Sequence, residues 1–434
     1  MEAGKYKKAD WVANTNIYEV NLRQYTTEGS FNAFAQHLPR LAAMGVDTLW
    51  FMPVTPIAQK NKKGELGSYY ACSDFKAVNP EFGTLDEFKD LVKAAQALGF
   101  KVIMDWVANH TGWDHVWTKT NQEYYSIDTQ THDFKTASGM EDIIELNYDN
   151  AEMEKAMIDA MAFWIKECNI DGFRCDLAFW VKLDFWTAAR TELEKTKTLF
   201  WLGEFDPIDS PAYCGVFDAA YTWTWMHKTE KFYQGEADIA ILKKVLQQYE
   251  GLCINGNMPV WFTSNHDENS WNGTEYEKYG DLAPALAVFS ILWTGIPMIY
   301  GGQEIPNKKR LKFFEKDTIE WKKEPALHSF YKTLLDLRRR NNALNRSDAL
   351  AKAELLKTNV ENQVLAFMQK KGEHEIVVLL NFSDKRLDCS IIDKKSTGNF
   401  IEVFSKTSVA FTGEFSIPMQ PREFLVFEKN NAAI

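Results

Sequence analysis

Four carboxylic acids close short apolar runs in this sequence: Asp105 after Val102-Ile103-Met104, Asp176 after Gly172-Phe173-Arg174-Cys175, Glu204 after Trp201-Leu202-Gly203, and Asp267 in Thr263-Ser264-Asn265-His266-Asp267. Taken singly, each could be no more than the N-cap of a following helix, a position that favours aspartate. On separate strands of one parallel sheet they would share a volume in which like charges cannot all stay ionised cheaply. Arg174 and Asp176 are two residues apart on a strand and point the same way, so the guanidinium can hold the aspartate ionised and aimed as a nucleophile. Glu204, kept protonated by its neighbours, could then serve as an acid. Two carboxyl groups with those jobs are what cleavage of a glycosidic bond requires: one attacks or stabilises the sugar cation while the other protonates the leaving oxygen. His110 and His266 stand beside the acids, able to donate to sugar hydroxyls. A lone histidine is more often structural, and the strand-end setting is what singles these two out.

Periodicity supplies the elements that must position these groups. Short β-branched and aromatic runs alternate with helical patterns, the signature of βα units around a parallel sheet. Strands are predicted over Ile17–Asn21, Thr48–Met52, Val102–Trp106, Gly172–Cys175, Leu199–Gly203, Phe217–Tyr221, Val260–Thr263 and Met298–Tyr300. Helices are predicted over Phe31–Met44, Leu85–Leu98, Glu152–Glu167, Lys182–Lys195, Ala237–Tyr249, Leu282–Trp293 and Leu327–Arg340. Thr84, followed three residues later by Glu87, opens the second of these as a capping box. The expectation is an α/β fold, a (β/α)8 TIM barrel over residues 1–342, with its site at the carboxyl ends of the strands where the acids lie. The polar stretch 111–147 after the third strand is too long for a simple βα loop and is read as a small excursion, a domain B walling one side of a cleft. Residues 343–434 change to short alternating runs with turn residues between them, which predicts a C-terminal antiparallel β-sandwich.

With 434 residues, 45% hydrophobic and 25% charged, the chain can bury a large core. Its net charge of −11 repels phosphate backbones, and the only dense basic runs, Lys308-Lys309-Arg310 and Arg338-Arg339-Arg340, are short, so no nucleic-acid partner is expected. Aromatic residues make up 14%, with 15 Trp, which suits both a large core and sites that stack the apolar faces of sugar rings. Cysteines 72, 168, 175, 214, 253 and 389 follow no metal or disulfide spacing, so six free thiols are expected. No apolar run of about 18 residues occurs and none is expected to span a membrane. A cytoplasmic location is expected if the chain is complete, a periplasmic or secreted one if a signal peptide has been trimmed.

These motifs together resemble glycoside hydrolase family 13, the α-amylase family, over nearly the whole chain. The resemblance rests on Asp105-Trp106-Val107-Ala108-Asn109-His110, Gly172-Phe173-Arg174-Cys175-Asp176, Gly203-Glu204 and Ser264-Asn265-His266-Asp267, which match the family's four motifs in order. Further similarity lies in Gly45-Val46-Asp47 before Pro53, in Asp74 through Asn79-Pro80-Glu81-Phe82-Gly83-Thr84, and in Gly295 to Glu304. It implies that Asp176 is the nucleophile, Glu204 the general acid/base and Asp267 the stabiliser of the transition state. Arg174, His110, His266 and Asp105 would hold the sugar just before the scissile bond, with Tyr70 stacked under it. Many members carry Lys-His three and four residues after the nucleophile, the histidine serving a structural calcium; here Phe179 and Trp180 stand there. Those two are read either as an aromatic platform for leaving-side sugars or as packing at the start of the fourth helix. Asn109 and Glu145 match two other calcium-ligand positions, short of the roughly six oxygens that calcium takes, so no cofactor is required and no metal ligand is assigned. The resemblance implies a retaining α-glucan hydrolase, an α-amylase acting on α-1,4 bonds of starch or maltooligosaccharides. An α-glucosidase, a 4-α-glucanotransferase and a non-catalytic glucan-binding protein are the alternatives.

Overall fold

The computed structural model describes residues 6–252, 256–344, 352–393, 395–412 and 416–430. Eight strands, Ile17–Val20, Thr48–Phe51, Lys101–Trp106, Gly172–Cys175, Phe200–Gly203, Ala219–Tyr221, Met258–Trp261 and Ile296–Tyr300, close into a barrel in chain order with every pair parallel. All but the outermost residues of these strands are buried, as a sheet covered on both faces requires. The strands sit where periodicity places them, to within two residues at either end. Met258–Trp261 ends earlier than expected: Phe262 and Thr263 already lead into the segment that carries His266 and Asp267.

The helical ring departs from expectation most at two places, besides the short helices Leu22–Tyr25 and Glu275–Tyr279. The stretch 31–44 is not one helix but two, Phe31–Ala35 and Leu38–Met44. Pro39 stands in the first turn of the second, where its missing N–H costs nothing but where a helix arriving from Phe34 and Ala35 would need that donor. The second helix ends on Gly45, at φ 98°, a left-handed cap that only glycine adopts readily. An additional helix, Trp223–Tyr233, follows the sixth strand. The capping box on Leu85–Ala97 is present in both directions, Thr84 accepting from the Glu87 N–H and Glu87 accepting from that of Thr84.

After the third strand the chain rises into the excursion, where His110–Gly112 pairs antiparallel with Ile143–Glu145. It is tied to the loop after the second strand by a small apolar cluster of Ala58, Ala71, Ala137 and Ile143, by Asp114 accepting from the Gln59 and Lys60 N–H groups, and by the Lys63–Asp142 pair at 2.7 Å. Beyond the last barrel helix, His328–Arg340, lies a six-stranded antiparallel sheet faced by a two-stranded one, Leu387–Cys389 with Ile417–Met419. Alternation along Val364–Lys371 divides two cores: Val364, Ala366 and Met368 face the two-stranded sheet, while Leu365 and Phe367 pack on the barrel. Phe367 meets Trp293 there, ring centroids 5.0 Å apart. Cysteines 72, 168, 175, 214 and 389 are free and buried, and Cys253 lies outside the described residues. Among the described residues no helix is long and apolar enough to cross a membrane.

Candidate active site

Parallel register sets Asp105 beside Arg174 and Cys175 beside Gly203 at the carboxyl ends of the third, fourth and fifth strands. The ladder runs one step further: the Asp176 N–H donates to the Trp106 carbonyl and that of Glu204 to the Cys175 carbonyl, each at 3.0 Å. Both acids are therefore held on sheet geometry just as the strands open into loops. Alternation sends Arg174 and Asp176 to one side and Cys175 to the other, where it is fully buried.

Arg174, itself fully buried, joins three of the four acids. Nη1 donates to Asp105 at 3.0 Å and to Asp176 at 2.9 Å, Nη2 pairs with Glu204 at 2.7 Å, and Nε donates to the Tyr221 hydroxyl at 3.2 Å. Its guanidinium lies 4.9 Å from the centre of the Trp50 ring, whose indole N–H donates to Asp105 at 3.2 Å. Leu177, next to Asp176, is in the left-handed region at φ 39°, a strained conformation for a branched residue that turns its N–H onto Glu204 at 2.9 Å.

The other half of the site hangs on His266. Its Nδ1 faces Glu19 at 2.5 Å, and its Nε2 faces the Tyr70 hydroxyl at 2.8 Å and Asp267 at 3.3 Å. The Tyr70 hydroxyl also donates to Asp105 at 3.1 Å, which closes one network over seven of the ten expected residues. Asp267 differs from the other acids in that 40% of its side chain is open to solvent. His110 is buried against the Tyr70 backbone, with the Asn109 amide 3.2 Å from Nδ1, and among the described residues it bonds to none of the four acids. Phe179 and Trp180 form one turn after Leu177, 43% and 37% exposed, with ring centroids 6.1 Å apart. Both rings are partly covered and partly open to solvent.

Burial dominates the electrostatics. It pushes Glu204 up to about 7, against Arg174 and with help from Asp176 and Asp267. It pushes Asp176 and Asp105 up to about 6, Arg174 again opposing. For His266 burial works against the charged ring, yet Asp267 and Glu19 prevail and its pKa is raised; for Asp267 the partial loss of solvent pushes the pKa up, but His266 outweighs it and the carboxyl is lowered. Burial lowers His110 to about 4, so it is neutral near pH 7. An ionised Asp176 working with a protonated Glu204 predicts a bell-shaped kcat/KM profile. Its acid limb falls near pH 6, where Asp176 takes up a proton, and its alkaline limb near pH 7, where Glu204 loses one. A profile flat from pH 5 to 9 would dismiss this assignment.

Glu19, Trp50 and Tyr221 belong to the network but were not expected from the sequence. Only Glu19 left a signal: a carboxylate inside the apolar run Ile17-Tyr18-Glu19-Val20, which a barrel interior tolerates only when it is paired.

The calcium positions are occupied by other chemistry. The Glu145 carboxylate carries the Lys135 ammonium at 2.9 Å and accepts from the Ser126 hydroxyl. Lys182 reaches Asp149 along the same wall, in a cavity of ≈ 640 Å³ that Asn109 and Trp180 also line. With an ammonium group on each of these two carboxylates, and no cluster of three or more His, Cys, Asp or Glu placed to hold a metal among the described residues, this wall does not suit a divalent ion.

Comparison with known proteins agrees with this picture. The family model described as alpha amylase, catalytic domain, matches residues 10–137 and 121–324. The chain is 26% identical to "Alpha-amylase MalA" of Haloarcula japonica over 395 residues, 88% of this chain and 57% of that protein. It is 24% identical to "Alpha-amylase 2" of Dictyoglomus thermophilum over 393 residues, 85% and 66% of the two. The chain thus spans less than two thirds of the length of these curated relatives. A solved structure, the noncanonic maltogenic alpha-amylase AmyB of Thermotoga neapolitana, superposes with a TM-score of 0.86 at 26% identity, covering 96% of this chain and 99% of that one.

Proposed function

The chain belongs to the α-amylase family of glycoside hydrolases, and from that premise we propose that it hydrolyses α-1,4-glucosidic bonds of starch-like glucans or maltooligosaccharides with retention of configuration. The observation that carries the reading is the single guanidinium of Arg174 shared by Asp176 and Glu204, two acids placed to do different jobs. In the proposed reaction the ionised Asp176 attacks the anomeric carbon while Glu204 gives its proton to the departing glycosidic oxygen, leaving a glycosyl group covalently bound to Asp176. Glu204, now ionised, takes a proton from water as that water releases the sugar. Asp267, ionised and open to the cleft, stabilises the cationic character of the transition state. Tyr70, Asp105, His110, Arg174 and His266 orient the sugar before the bond, and Phe179 and Trp180 offer apolar faces to the sugars after it.

Following maltoheptaose cleavage over time tests this reading, with proton NMR of the first product. Mixed internal products born as α-anomers are expected. A β-anomer first would overturn the double displacement; glucose alone would point to an α-glucosidase, and longer glucans to a glucanotransferase.

No metal is assigned a part, because Lys135 already neutralises Glu145. A chelator is expected to leave activity and Tm nearly unchanged. A drop of many degrees restored by added calcium would refute this.

A further inference from the structure

Asp267 leads into the wide turn Glu268–Asn272, and that turn presents Trp271, at 51% exposure the most solvent-open tryptophan among the described residues. Its indole lies across Phe313 and Phe314, with centroids 5.3 and 5.6 Å away. From Phe313 the aromatic surface continues to Tyr70, 6.3 Å away and within 20° of parallel, and Tyr70 stacks in turn on His266. The run therefore leads from the candidate sugar site at Tyr70 and His266 outward to an exposed ring.

The supports are rigid. Buried Arg23 pairs with Glu81 and donates to the Gly67 carbonyl at 3.0 Å and the Phe313 carbonyl at 3.5 Å, and the Leu66 N–H donates to the Phe314 carbonyl at 2.9 Å. On the turn itself, Asn269 accepts from the Leu311 N–H at 2.8 Å and donates to the Lys309 carbonyl. A large ring fixed in place with half its surface in water forgoes the burial energy that such a side chain normally gains. It is also pre-organised for a flat apolar partner, since little ordering remains to be done on binding. The Trp271 side chain also stands close enough to Asp267 to help hold its carboxyl low.

We propose that Trp271, backed by Phe313 and Phe314, is the stacking platform for a second glucosyl unit of the α-glucan, beyond the one at Tyr70. The assignment rests on the glucan reading above and deepens it: recognition extends past the reacting sugar on the Tyr70 side, which favours longer chains.

The test measures binding of maltotriose and maltoheptaose by calorimetry to the Asp176→Asn protein, with and without Trp271→Ala and Trp271→Phe. It also compares kcat/KM on the same two sugars in the active protein. Trp271→Ala is expected to weaken binding of maltoheptaose, and of maltotriose, which is long enough to reach the second position, by about tenfold, about 1.4 kcal/mol, while Trp271→Phe retains most of the affinity. Unchanged maltoheptaose affinity overturns the proposal, as does a loss in Trp271→Phe as large as that in Trp271→Ala, which would mean that Trp271 acts through its N–H on Asp267 or through the fold rather than by stacking. Unaltered Tm in both variants guards against misfolding, and Phe314→Ala provides a second route by removing a support. If the protein cleaves maltoheptaose but Trp271→Ala leaves its kcat/KM intact, the platform fails and the hydrolase reading stands. If maltoheptaose binds in a Trp271-dependent way but no α-glucan is cleaved, the reverse holds.

Discussion

Asp176→Asn is expected to lower turnover of maltoheptaose by about four orders of magnitude or more while glucan binding persists, the scale seen when a covalent nucleophile is removed from an otherwise intact site. Asparagine keeps the shape and can still accept one hydrogen bond from Arg174, but its amide oxygen cannot displace a glycosidic oxygen. Calorimetric titration with maltoheptaose should show affinity within a few-fold of wild type, and rapid-quench assays should show no burst. Glu204→Gln should behave differently. Its proton is needed for bond cleavage only where the leaving group is poor, so kcat/KM should fall severely on maltooligosaccharides and little on activated α-glycosyl fluorides, whose glycosyl-enzyme should form quickly and then be released slowly because the base is missing. If both variants lost the same factor on both substrate types, the division of labour between the two acids would be wrong.

That the two acids could be singled out at all reflects where they sit in the chain. Each follows an apolar run of strand length, and in a parallel barrel the residue after such a run faces the site whatever its neighbours are. Local signals that act through backbone chemistry were equally legible, the Thr84 and Glu87 capping box being one. What was hidden has physical reasons. Residues 31–44 keep a helical apolar period across Pro39, so the pattern continues although the hydrogen bonding does not. Trp223–Tyr233 opens with Trp-Thr-Trp-Met-His, aromatic and β-branched residues of poor helix propensity, and is held by packing of Trp225 on Phe289 at 4.3 Å rather than by its own preferences. Glu19 and Tyr221 reach the site from strands remote in sequence, and only closure of the barrel brings them to His266 and Arg174. Trp271 and Phe313 lie 42 residues apart on two loops, and no periodicity links them.

Removing Arg174 should damage stability as much as chemistry, and in a way that pH reveals. Its guanidinium is the only group bonded to Asp105, Asp176 and Glu204 together among the described residues, and losing one partner of a buried ion cluster costs about 3–5 kcal/mol because the remaining charges are left unpaired. At ~2.1 cal/mol/K of unfolding entropy per residue over 434 residues, that corresponds to a Tm fall of about 3–5 °C for Arg174→Met. Burial already holds the pKa values of these acids above their unfolded ones, at about 6, 6 and 7, so the native state binds more protons than the unfolded state and stability declines as pH rises through that range. Without Arg174 the folded values rise further and the decline steepens. The deficit of the variant should therefore be small near pH 4, where all three acids are protonated in the native state, and largest above pH 7. Arg174→Lys should recover part of the stability but little activity, since a single ammonium cannot serve Asp176 on one nitrogen and Glu204 on another. Tm measured from pH 4 to 8 decides the matter: a deficit constant across that range would mean that Arg174 acts through packing on Trp50 and Tyr221 rather than by carrying the charges of the acids.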